Sequence, residues 1–217
     1  HRYGTSAQQK KFLPDLASGK AIPCFALTSA PAGSDASSMR DTGVVCHGTY
    51  KGKTIVGIKL NFSKRYITLA PIATLVGLAF RLQDPEHLIG NKTNVGITCA
   101  LLDAKHPGLT IGQRHLPMEL AFMNGSIEGK AVFVPLDAII GGTQMAGAGW
   151  RMLVECLAIG RAISLPALSC AQGALGFITT SSYAALREQF RTPLFKMEGV
   201  ESALAKIAGY TYLLESC

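Results

Sequence analysis

The chain has 217 residues, 48% of them apolar and 16% charged, and its 21 Lys and Arg against 14 Asp and Glu give a formal charge of +7. That length supports one large domain or two smaller ones with proper cores, and that composition excludes an intrinsically disordered chain. The positive charge suits an anionic surface or a phosphate-rich ligand, but the basic residues are dispersed and do not interleave with aromatics, so nucleic acid is not the expected partner.

The first predicted element is helical. "TSAQQKKFLPDLASGK" opens with a Thr5-x-x-Gln8 capping box and closes at Gly19. Pro14 interrupts it, which predicts two short turns rather than one helix.

Residues 21–142 carry strand signals. "IPCFALTS", "GVVCHGTY", "KTIVGIKLNF", "KRYITLA", "TLVGLAF", "VGITCALLD" and "KAVFVPLD" are rich in β-branched and aromatic residues. Lys51-Gly52, between two of them, predicts a tight hairpin. The first and second strands are separated by a run of small residues within "CFALTSAPAGSDASSM", residues 24–39, which on composition alone reads equally as a cradle or a linker. The longest uncharged run, residues 66–80, is shorter than the roughly 20 residues that span a bilayer and is broken by Pro71, so no transmembrane segment is expected there.

From about Met145 the spacing turns helical. "GAGWRMLVECLAIGRAISLPALSCAQGALGFITTSSYAALREQF" predicts one long helix kinked at Pro166, and a second helix starts near Met197. The expected fold class is therefore α+β and multidomain: a helical tail over 1–20, an antiparallel β-barrel or sandwich over 21–142, and the start of an α-helical bundle over 143–217. Two helices do not make a bundle, His1 is not a start residue and the helical pattern still runs at Cys217, so a piece of a longer protein is expected.

Six scattered cysteines without a C-x-x-C pair, and no His at ligand spacing, predict free thiols and no metal site. No Ser/His/Asp set has the context of a nucleophile elbow, and no G-x-G-x-x-G follows a strand.

Five stretches, in order along the chain, resemble the acyl-CoA dehydrogenase family. Leu27-Thr28 followed by "APAGSD" is similar to T-E-P-x-A-G-S-D, with Ser29-Ala30 in place of Glu-Pro. "KRYITLA" is similar to K-x-W-I-T, with Tyr66 in place of Trp. "VFVPLDAIIGG" and "GAGWRML" resemble the exit from the family's β-domain and the entry to its next helix. "YAALREQF" resembles Y-A-x-x-R-x-x-F on a long helix. Residues 64–80 and 145–161 look most like the family's large bacterial members of fatty-acid β-oxidation.

The resemblance implies an acyl-CoA dehydrogenase-like fold and an FAD cofactor between the β-domain and the helices. In this chemistry a Glu takes the α-proton of a fatty acyl-CoA while a hydride leaves the β-carbon for the flavin, giving a trans-2-enoyl-CoA. It also implies the cofactor-binding residues Phe25, Leu27, Thr28, Gly33, Ser34, Tyr66, Thr68, Arg187, Gln189 and Phe190, with Ser34 and Arg161 toward the substrate. Thr28 would face the flavin's pyrimidine edge. Tyr66 and Thr68, alternating with Ile67, would point the same way. Arg187, four residues after Tyr183 on a helix face, would reach the flavin pyrophosphate of a neighbouring subunit. No catalytic residue is assigned: the base Glu is expected beyond Cys217, and the position before Arg161, where a minority of the family carries it, is Gly160. The implied partners are a fatty acyl-CoA, an electron-transfer flavoprotein and further copies in a homo-oligomer. The implied location is the bacterial cytoplasm, free or peripheral on the inner membrane. An acyl-CoA oxidase of the same fold and a non-catalytic β-domain binding module remain the alternatives.

Overall fold

The computed structural model describes residues 1–217, which divide into two compact units, His1–Leu153 and Val154–Cys217. The first unit opens with helix α1, Ser6–Ala17. Its capping box forms as the sequence predicts: Gln8 N–H donates to Thr5 Oγ1, and Thr5 N–H donates to Gln8 Oε1. Pro14 does not split the helix into two turns. Pro14 has no N–H to offer the Lys10 carbonyl one turn back, and both residues are exposed.

Seven strands follow: β1 (Pro23–Ala26), β2 (Thr42–Tyr50), β3 (Lys53–Thr68), β4 (Leu75–Gln83), β5 (Asn94–Asp103), β6 (Leu109–His115) and β7 (Asn124–Pro135). They form one curled sheet in the order β1-β4-β2-β3-β7-β6, with β5 on the other edge of β4. Most pairings are antiparallel, but β1 and β2 both run parallel to β4, taking consecutive lengths of the same edge. Strand β4 is buried continuously from Leu75 to Phe80, as its unbroken apolar run requires of a central strand. The Lys51-Gly52 hairpin forms with both residues at positive φ, a two-residue turn whose twist suits the flanking strands.

Two segments expected as separate strands, "KTIVGIKLNF" and "KRYITLA", are one 16-residue strand, β3. A bulge between Lys64 and Ile67 keeps it continuous while it changes face. Strand β6 was not among the predicted elements, because "LTIGQRH" has too little alternation to stand out. The main core inside the curl includes Val45, Ile58, Leu60, Phe80, Leu82, Ile127 and Val132. A second cluster joins Ala32 and Met39 of the 27–41 loop to Ala79, Cys99, Met152 and Leu153. All six cysteines are free, and burial pushes the Cys24 thiol up to about 11.

Helix α2 spans Gly149–Ile159, and in the second unit α3 spans Leu165–Leu186 and α4 spans Glu198–Glu215. A single π turn, Gly160–Ser164, separates α2 from α3. Pro166 has no N–H for the Ala162 carbonyl, and the strain is taken up upstream, where Leu165 N–H reaches back five residues to Gly160. The continuous helix 149–186 is long and apolar enough to cross a membrane by length and composition, a test that core helices of soluble proteins also pass. Helices α3 and α4 approach closely where a Cβ on Gly173 would meet Thr211 Oγ1 at 2.9 Å.

Candidate functional site

In the first unit the run of small residues is anchored, not loose. Cys24, Ala26, Ser29, Ala32 and Met39 are buried, and Ser29 and Ala32 exchange backbone hydrogen bonds of 3.2 and 3.1 Å around a two-residue tip. Arg81 holds the far end, donating from Nε to the Met39 carbonyl at 3.0 Å and from Nη2 to the Ser37 carbonyl at 2.5 Å. The Asp35 carboxylate accepts from the hydroxyls of Ser37 and Ser38, which hold it below the usual carboxylate range.

The segment Leu27–Ser29 is laid against β3. Arg65 N–H donates to the Thr28 carbonyl at 3.0 Å, and Ser29 bridges to Lys64. Thr28 therefore lies beside the residue that precedes Tyr66. The bulge explains the pattern that follows. Phe62, Lys64 and Ile67 are buried, while Arg65, Tyr66 and Thr68 are exposed, so one inserted residue moves the inward face from even to odd positions. Tyr66 and Thr68 do share the outward face, but Tyr66 carries a φ of 58°, and the residue is 55% exposed. The ring is held edge-on to His115, with centroids 5.2 Å apart and planes at 60°, and the Arg65 guanidinium lies 5.1 Å from its centroid.

Three buried polar atoms along this stretch have no partner: Ser29 Oγ, opposite Lys64, and His115 Nδ1 and Asn124 Oδ1 near Thr68. Asn124 pairs with both Thr68 and His115 in the sheet, so two of the three orphans lie next to Tyr66 and Thr68. Buried polar groups in folded proteins are normally satisfied, and those left open at a partly exposed aromatic rim fit a ligand with hydrogen-bonding edges. Gly33 and Ser34 are exposed beyond the Ser29–Ala32 turn, and a Cβ on Gly33 would meet nothing within 4 Å, which leaves that backbone open to close approach. Phe25 lies on β1 opposite Gly77, half covered. The structure thus brings Leu27, Thr28, Tyr66 and Thr68 to one neighbourhood of β3.

Sequence reasoning passed over the group that holds this neighbourhood together. Lys64 is wholly buried. Its ammonium donates to Asp41 Oδ2 at 2.6 Å and to the Leu27 carbonyl at 2.8 Å, while Asp41 Oδ1 accepts the Ser63 N–H at 3.0 Å. The signal was present: Lys64 falls in phase with Leu60 and Phe62, on the inward side of an alternating strand. Burial pulls the Lys64 ammonium below its ordinary value of 10.5, and the hydrogen bond and charge of Asp41 partly oppose that shift. The unfolded chain thus holds this proton more tightly than the folded one. Stability should rise with pH between the folded value and 10.5, and the penalty for burying the charge stands in full below that window. Urea denaturation across alkaline pH should show this rising component in the wild type and lose it in K64M/D41L.

In the second unit, Arg161 is exposed on the π turn. Arg187 is not on the helix face expected for it. The helix ends at Leu186, and Arg187 caps it in an extended conformation, its N–H still bonded to the Tyr183 carbonyl at 2.8 Å. Pro193 forces Thr192 into the extended region, and Gln189 pairs with Thr192 across a tight turn in which Phe190 and Arg191 both have positive φ. Phe190, at the tip, is 92% exposed. Glu198 and Glu201 occupy the exposed first turn of α4, where acids suit the helix dipole, and Glu215 is exposed at its end. None of them is placed as a base.

No protein-family profile matches the chain. Among curated proteins, "Protein HemX" of Proteus mirabilis is 57% identical over 91 residues, which is 42% of this chain and 54% of that protein. An acyl-CoA dehydrogenase of Bacillus subtilis is 31% identical over 211 residues, 95% of this chain and 50% of the relative. Among solved structures, butyryl-CoA dehydrogenase of Megasphaera elsdenii superposes with a TM-score of 0.79 at 26% identity, over 98% of this chain and 51% of that one. The FAD complex of PigA superposes with a TM-score of 0.78 at 27% identity, over 98% and 51%. The chain spans about half the length of the relatives it matches. The five motifs, the curled sheet with its helical continuation, and these near-complete overlaps agree: the chain belongs to the acyl-CoA dehydrogenase family.

Proposed function

We propose that the chain is the central part of an FAD-dependent acyl-CoA dehydrogenase that converts a fatty acyl-CoA to its trans-2-enoyl-CoA in β-oxidation. The observation that carries this reading is the docking of Leu27–Ser29 on β3. There the Thr28 carbonyl accepts from Arg65, and partly exposed Tyr66 stands beside a rim of unpartnered polar atoms. That rim fits the polar edge of a flavin, and the solved PigA complex, of the same fold, carries FAD. FAD, when bound, supplies the hydride acceptor.

The chain's own residues hold and orient. Thr28 offers its hydroxyl and N–H to the cofactor's pyrimidine edge. Tyr66 presents an aromatic face, and Thr68 a hydroxyl, on the same outward side of β3. Gly33 and Ser34 are proposed to meet the pyrophosphate, and Ser34 also the substrate; Arg161, in the second unit, is proposed on its own account to meet the acyl-CoA. Arg187, with Gln189 and Phe190, is proposed to meet the pyrophosphate of a neighbouring subunit's FAD, which makes the enzyme a homo-oligomer. The base Glu lies outside this chain. An electron-transfer flavoprotein takes the electrons, and the enzyme works in the bacterial cytoplasm or on the inner face of the membrane.

Anaerobic addition of a saturated fatty acyl-CoA to the full-length protein tests the reading. Bleaching of the flavin, followed by slow reoxidation in an oxygen pulse, is the expected result. Rapid peroxide formation would assign an oxidase, and no bleaching with any chain length would overturn the activity.

A further inference from the structure

Lysine is among the residues least often buried, and a buried one is tolerated only when its charge and its donors are matched. Lys64 meets that condition with two bonds: one goes to Asp41, and another goes to a main-chain carbonyl 37 residues away, that of Leu27. Asp41 in turn is fixed by the Ser63 N–H and sits just after the segment that Arg81 anchors. The loop 27–41 thus leaves β3 at Leu27–Thr28 and returns to it at Asp41, and Lys64 ties both ends to a single ammonium.

We infer that Lys64 and Asp41 are positioning residues that set the Leu27–Thr28 edge against β3, and so set how the cofactor is held. The inference rests on the reading of that edge as the FAD-binding rim. The ammonium is the only side-chain group bonded to the Leu27 carbonyl. The next residue toward the rim, Thr28, has its carbonyl fixed by the adjacent Arg65 N–H. The Leu27 carbonyl and the Thr28 N–H belong to one planar peptide and point opposite ways, so the Lys64 bond to that carbonyl sets the direction of the Thr28 N–H, while the Arg65 bond holds the peptide that follows. A purely structural ion pair would need only Asp41. The second bond, to a loop carbonyl, ties the pair to the rim.

Two variants of the full-length protein separate the roles. K64M removes the anchor and leaves Asp41 unpaired. K64M/D41L replaces the pair by apolar side chains of similar volume, a change that often restores stability at buried ion pairs. The readouts are the thermal midpoint of the apoprotein, the FAD dissociation constant and the visible spectrum of the bound flavin. In the double variant the midpoint should return toward the wild type, while FAD affinity stays weaker by about tenfold, the scale of one lost orienting hydrogen bond, and the flavin bands shift. Return of FAD affinity to within about twofold, together with the midpoint, would make the pair merely structural and overturn the inference. A wild-type protein that binds no FAD would instead overturn the reading of the site.

Discussion

Asp41→Ala is expected to destabilise the protein by about 3–5 kcal/mol, a large part of the total stability of an ordinary domain. The loss comes from what remains. The Lys64 ammonium stays fully enclosed and keeps only the Leu27 carbonyl as a partner, and the Ser63 N–H loses its acceptor. Removing one member of a buried pair costs far more than removing both, so K64M/D41L should recover most of the loss. Urea denaturation of the two variants beside the wild type measures this directly. A loss below about 1 kcal/mol for Asp41→Ala, the range of exposed pairs, would mean that water reaches Lys64.

The second large effect is on cofactor retention. Arg187→Ala in the full-length protein should weaken FAD binding by about tenfold to a hundredfold, the range of a charge-assisted hydrogen bond to an anion. The thermal midpoint of the apoprotein should barely move, because the Arg187 side chain is exposed and makes no ion pair within the chain. Equilibrium dialysis or flavin fluorescence gives the affinity. Unchanged FAD occupancy would remove Arg187 from the site, and a large drop in apoprotein stability would show that it acts on the fold instead.

What the sequence revealed followed from local rules. The Thr5–Gln8 box and the Lys51-Gly52 turn need only a few neighbouring residues to form, and both were legible. The sheet was legible as strands, but not in its pairing: that β1 and β2 run parallel to β4 depends on where a long loop returns, which no strand pattern encodes. That Tyr66 and Thr68 share a side was legible, yet the bulge between Lys64 and Ile67, which includes Tyr66, was not, because "SKRYIT" alternates well enough without it. Lys64 was missed because a lysine is read as solvated by default, and only a partner 23 residues earlier makes its burial tolerable. Arg187 was carried one residue too far along a helix. Its capping position is set by Pro193 and by a turn of two residues in a conformation that neither Phe190 nor Arg191 favours by itself. The His115 and Asn124 atoms on the rim come together only through the register of β6 and β7.

On the proposed reading, the rim built by Leu27–Ser29, Tyr66 and Thr68 holds a flavin. The visible spectrum of the purified full-length protein, before and after incubation with FAD, tests it most directly. A yellow protein with resolved flavin bands, or an apoprotein that takes up FAD in proportion to its chains, is the expected result. A colourless protein that takes up no added FAD would contradict it.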